Sequence, residues 1–193
     1  AAVIAVHDEL AARRLRLPVA VSITVETTGS MLVGTDVEAA IAIVTALGVD
    51  IMGINCATGP AQMVGTVQEL CRGFEGPVLV MPNAGLPRSV NGRLEYTVDP
   101  AEFARDVSAF VVKYGVSLAG GCCGTKPAMI RHLREALQGA IPAARKVAWS
   151  AGAASLYGFV PFAQDPRPFF IGERANTNGS KAFRERLLAD DWD

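Results

Sequence analysis

Nothing in this sequence approaches the run of about 20 apolar residues that a membrane-spanning helix needs. The N-terminus, Ala1-Ala2-Val3-Ile4, lacks the basic start and the cleavage site of a secretory leader. Excess charge is missing as well: 18 Lys and Arg stand against 19 Asp and Glu, scattered along the chain, for a formal net charge of −1. A nucleic-acid or membrane-surface partner is therefore not expected, whereas small molecules and other domains are. Cysteine is scarce. Four residues, unevenly placed, do not make a disulfide framework, and without a leader they point to metal or thiol chemistry in a reducing, cytoplasmic setting. Also missing are an initiator Met and an N-cap ahead of the first helical stretch, so the chain reads as a fragment. Apolar residues are not in deficit: at 50% of 193 residues they suffice for a core and exclude disorder.

Periodicity divides the chain into repeating units. Val3, Val6 and Leu10 have helical spacing in residues 1–14, and Pro18 ends that pattern. A β-branched strand is expected over 19–25, and Thr35-Asp36-Val37-Glu38 offers a capping box for a helix running to Leu47 and Gly48. The pattern recurs: strand 49–55, helix 60–72 with Pro60 in its first turn, strand 78–81, and a loop over 82–98 rich in Asn-Gly and Pro signals. Then follow a helix from Asp99-Pro100 to Tyr114-Gly115, a strand over 116–119, and a helix over 127–138 closed by Gly139. Alternation at roughly 30 residues predicts βα units with a parallel sheet covered on both faces. Four strands correspond to half of a (β/α)8 TIM-type barrel, with a doubly wound open sheet as the competing architecture.

Residues 140–168 turn to Ala, Pro, Gly and Ser with scattered aromatics, the composition of a linker lying along a surface. Phe169-Phe170-Ile171, a loop over 172–180 and a helical run to Ala189 look like the first strand, loop and helix of another α/β domain. The expected organisation is thus 1–139, 140–168 and 169–193.

Chemistry in parallel α/β folds collects at the C-terminal ends of strands. Cys56 follows one such end and Cys122-Cys123 another. If their strands are neighbours but one, three sulfurs can converge. Adjacent residues can share one zinc, since Cα atoms ~3.8 Å apart match the separation of two sulfurs each ~2.3 Å from a tetrahedral ion. Three thiolates leave one corner open, where a substrate thiol would be ionised and kept nucleophilic. Other readings stand beside this one. Cys56 alone fits a small buried hydrophobe, as does Cys71; Gly120 to Gly124 also fit a phosphate nest or a tight turn; a vicinal disulfide is strained. His7 and His132, on helices, are expected at the surface or in packing.

Three motifs carry a resemblance. Gly53-Ile54-Asn55-Cys56, Pro82-Asn83-Ala84-Gly85-Leu86-Pro87 and Gly120-Gly121-Cys122-Cys123-Gly124-Thr125 resemble, in order, those of the homocysteine-binding barrel of the cobalamin-dependent methionine synthases. The resemblance implies a methyltransferase with Cys56, Cys122 and Cys123 as zinc ligands and no catalytic residue beyond them. It implies homocysteine as substrate; Asn55, beside Cys56 at the barrel mouth, is a candidate contact. The same cysteine pattern occurs in cobalamin-independent thiol and homocysteine methyltransferases. A non-catalytic zinc-binding fragment is the further alternative. Residues 171–180 look like the opening of a methyltetrahydrofolate-binding barrel, which implies that family's methyl route from methyltetrahydrofolate through cobalamin, on domains this chain lacks. Half of the eight strands, and the groups expected to hold the amino acid moiety, are lacking too.

Overall fold

The computed structural model describes residues 1–168 and 177–191. It divides into two compact units, Ala1–Pro161 and Phe162–Asp193. No described helix is long and apolar enough to cross a membrane.

The first unit is built on a four-stranded parallel sheet: β1 (Ala20–Ile23), β2 (Ile51–Asn55), β3 (Val78–Met81) and, after an intervening hairpin, β6 (Leu118–Ala119). They pair in chain order, with Ile23 beside Ile54, Ile54 beside Val80, and Val80 beside Ala119. Between them run α2 (Val37–Ala46), α3 (Pro60–Gly73) and α4 (Pro100–Tyr114), and after them α5 (Pro127–Ala136). Side chains of α2, α3 and α4 share one core with Ile23, Met52, Ile54, Val78 and Val80, all from the same sheet face. Chain-order pairing with these helices on one face is single winding. A doubly wound sheet would reverse its strand order and place helices on both faces.

That arrangement corrects one expectation. The sheet is parallel, but it is covered on one face only: Ala20 and Ser22 are exposed, and Leu118 retains 41% of its accessible surface. Both faces read as apolar because the second carries Ile51, Leu79, Met81 and Leu118, which four strands are too few to curl around and bury.

The helix ends follow local chemistry. Asp99 caps α4 by accepting from the amides of Ala101 and Glu102, Pro100 fills the first turn, and Gly115 closes the helix at φ 76°. For α2 the cap is Asp36, whose carboxylate accepts from the Ala39 amide, rather than Thr35 of the expected box; Thr35 is buried instead. The first helix, α1 (Ala2–Ala12), sets Val3 and Leu10 against the core but leaves Val6 exposed.

Two hairpins occupy stretches read as loop and linker. β4 (Arg88–Val90) and β5 (Arg93–Glu95) are joined by Asn91 and Gly92, both at positive φ, as a two-residue hairpin turn demands. β7 (Gly152–Ala154) and β8 (Phe159–Pro161) lie against α2, with the rings of Trp149 and Phe159 4.9 Å apart. Ahead of them Arg145 donates to the carbonyls of Phe74, Glu75 and Gly76, and the Ala148 amide donates to Arg72. Residues 140–161 therefore belong to the first unit.

In the second unit, α6 (Lys181–Leu188) is capped by the Ser180 hydroxyl. The strand expected over 169–171 and most of the loop after it fall outside the described residues.

Candidate metal centre

Every strand of a parallel sheet ends at the same edge, so the exit loops of β2, β3 and β6 share one rim. β3 lies between the other two. Cys56 takes the first position after β2 with φ 64°, and Ala57 follows with φ 55°. Two successive left-handed residues that are not glycine are strained, at about 1–2 kcal/mol each. Backbone bonds hold them: the Cys56 amide donates to Met81, the Thr58 amide to Cys56, and the Asn83 amide to Thr58.

The exits of β3 and β6 continue their ladder beyond the strands. Gly120 donates to Val80, Cys122 to Pro82 at 2.8 Å, and Ala84 to the Cys123 carbonyl at 2.9 Å. The buried Asn83 side chain accepts from the Cys123 amide at 3.1 Å. Gly121 is needed here, because a Cβ would collide with Thr125. With the amides of Gly120, Cys122 and Cys123 already spent, the turn is not an open phosphate nest.

Three sulfurs converge as a result. Cys56 Sγ and Cys123 Sγ are 3.6 Å apart, and those of Cys56, Cys122 and Cys123 all lie within 4.8 Å of one another. Two sulfurs on one tetrahedral zinc would be about 3.8 Å apart, so the donor set fits the ion in spacing and in chemistry. All four cysteines are free. The Cys56 thiol is held below its ordinary pKa by the Ala57 amide first and by Cys123 second, while Cys56 and then Cys122 raise that of Cys123. Of this pair Cys56 is the readier thiolate.

Asn55, at the end of β2, is half-buried on the uncovered sheet face, its Oδ1 accepting from the Ser22 hydroxyl at 2.6 Å. Cys71 is buried in α3, and burial pushes its thiol up to about 11. His7 lies on α1 and His132, exposed, on α5; neither joins the cluster.

Two residues at the rim carry no periodic signal. Asn83 stood inside a recognised motif without a role. Tyr96 lies in a stretch whose pattern is that of a loop, yet its ring rests on Gly124, and its hydroxyl is raised in pKa by burial first and then by Cys123.

The model of the homocysteine S-methyltransferase family matches residues 1–137, and the chain belongs to that family. Among curated relatives it is 47% identical over 176 residues to the methionine synthase of Mycobacterium tuberculosis (strain ATCC 25618 / H37Rv). It is likewise 47% identical over 181 residues to that of Mycobacterium leprae (strain TN). Each match covers 91% of this chain, which spans 15% of the length of either relative. Among solved structures, the oxidized form of the homocysteine methyltransferase MmuM from Escherichia coli matches with a TM-score of 0.51 and 25% identity, over 69% of this chain and 40% of that one.

Proposed function

We propose that Cys56, Cys122 and Cys123 hold one zinc ion and that this site takes the thiol of homocysteine for methylation to methionine. The meeting of three sulfurs from two strand ends within 4.8 Å carries the reading. When bound, zinc supplies the positive charge that keeps a substrate thiol ionised at neutral pH.

The chain's own residues do the holding. The bonds from Pro82, Asn83 and Ala84 fix the backbone of the cysteine pair, and the Met81 and Thr58 bonds fix the turn at Cys56. We assign Asn55, anchored by Ser22, as a contact to homocysteine. In the transfer, the substrate sulfur forms a bond to the methyl carbon, and the bond from that carbon to its donor breaks with the electron pair remaining on the donor. We propose cobalamin as that donor, recharged from methyltetrahydrofolate. Support comes from the methionine synthase relatives and from the resemblance of residues 171–180 to the start of a pterin-binding domain.

The sheet is proposed as the C-terminal half of a (β/α)8 barrel, 1–139, with 140–168 as interdomain connection and 169–193 as the start of the next domain. The uncovered face and the outer edges of β1 and β6 support four further strands from the rest of the protein. Free thiols suit a reducing cytoplasm.

Metal analysis of freshly purified, reduced chain tests the proposal. One zinc per chain is expected, lost on Cys122→Ser, with one additional sulfur neighbour seen by zinc X-ray absorption when homocysteine is added. Absence of zinc, or an unchanged sulfur count, overturns it. Without the other half barrel the chain is expected not to methylate homocysteine from added methylcobalamin; a zinc-dependent rate would contradict that.

A further inference from the structure

Tyr96 follows β5, a strand whose residues are all exposed, with Leu94 at 76% of its accessible surface. The tyrosine is half-buried and packs on a cluster formed by Ala84, Phe103, Met129 and their neighbours from α4 and α5. Its other side meets Gly124, which sits at φ 75° directly after Cys123; a Cβ there would overlap the Tyr96 ring and come within 2.7 Å of the Tyr96 Cβ. Tyr96 is thus a wedge between a hydrophobic core and the cysteine turn.

The bonds from Pro82, Asn83 and Ala84 secure the backbone of this turn and do not reach the Cys123 side chain, whose sulfur meets Cys56. Cys123 is also the exposed member of the trio. A cysteine in such a turn has about three staggered rotamers, and the observed one brings its sulfur to 3.6 Å from Cys56. We infer that Tyr96 is a positioning residue, its ring confining the Cys123 side chain to the rotamer that faces Cys56 and keeping the following turn seated. This rests on the reading of the three cysteines as the zinc site.

Zinc affinity by competition with a chromogenic chelator, measured on the full chain, supplies one readout. Tyr96→Ala should bind about three- to tenfold more weakly, part of it from release of the roughly three rotamers, and should shift the thiolate absorption bands of the cobalt(II)-substituted protein. Tyr96→Phe keeps the ring and should stay within about twofold of the parent. A second readout needs no metal: iodoacetamide labelling of Cys123 in reduced, metal-free chain should be several-fold faster in Tyr96→Ala, with Tyr96→Phe unchanged. Cys71, buried, reports on integrity by staying unlabelled in a folded variant. Affinity and Cys123 labelling in Tyr96→Ala that match the parent overturn the inference. A parent that binds no zinc but shows the labelling difference removes the metal reading and leaves the role of Tyr96 at Cys123 intact.

Discussion

Gly59 marks the place where the exit loops of β2 and β3 touch backbone to backbone. Its φ of −84° and ψ of 175° are open to any residue. What the position cannot accept is a side chain: an added Cβ would lie 2.6 Å from Gly85 Cα and 3.1 Å from Gly85 N. Ordinary carbon contacts need about 3.5–4.0 Å, so Gly59→Ala must part the loops by roughly 1 Å. Gly85 has little room to shift, since Val98 packs against it. The displacement therefore passes between the turn that carries Cys56 and the segment Pro82 to Ala84 that holds the cysteine pair. Overpacking of this kind costs about 1–3 kcal/mol. If zinc binding requires the loops closed, that cost appears as about 5- to 150-fold weaker affinity; if the loops stay closed without metal, it appears as lost stability. Gly65→Ala is the matched control on the same helix, with nothing within 4 Å of the new Cβ. It should stabilise the chain by about 0.5–1 kcal/mol and leave zinc binding alone. Urea unfolding and chelator competition on both variants decide the matter. Parental stability together with parental zinc affinity in Gly59→Ala would refute the reasoning.

Arg145→Ala removes three guanidinium bonds to the carbonyls of Phe74, Glu75 and Gly76. A loss of about 2 kcal/mol in urea unfolding is expected, discounted for partial exposure, with zinc affinity unchanged; Arg145→Lys should restore less than half, because an ammonium cannot fork to several carbonyls, and full restoration would contradict this. Glu69 has its carboxyl raised above the ordinary 4.5, by burial first and then by Glu38 and Asp36. The stability tied to its protonated form is complete below about 4.5 and is lost as pH rises through the raised value. Glu69→Gln should therefore melt higher than the parent at neutral pH, with the advantage vanishing in acid; a pH-independent difference would assign the effect to packing.

The alternation of strands and helices was legible because each βα unit announces itself locally: helical spacing in α3, Pro60 and Pro100 at first turns, Gly115 at a left-handed stop. The three-cysteine cluster was legible for a topological reason, since strand-end residues of a parallel sheet share one rim whatever the intervening sequence. The uncovered sheet face was not, because Ile51, Leu79 and Leu118 are as apolar as residues that a fuller assembly would bury. Nor was the path of residues 140–161. Their attachment depends on Arg145 meeting carbonyls some 70 positions away, and no local period encodes such a partner. The capping of α2 shows competition at short range: Thr35 and Asp36 both suit an N-cap, and burial of the threonine leaves the carboxylate to serve.

Topology also accounts for the residues that spacing missed. With strand order β2, β3, β6, the cysteines leave from the two outer members of the trio, and the loop after β3 lies between them. That loop is placed to fix one cysteine loop against the other. It does: the Asn83 backbone donates to the Cys56 side through Thr58, the Asn83 side chain accepts from Cys123, and Tyr96, farther along the same connection, packs on Gly124. The stretch carries no cysteine or histidine and no helical period, so its composition describes a loop and nothing more. Its position between two strand ends makes it the part of the site that sets the distance between the sulfurs.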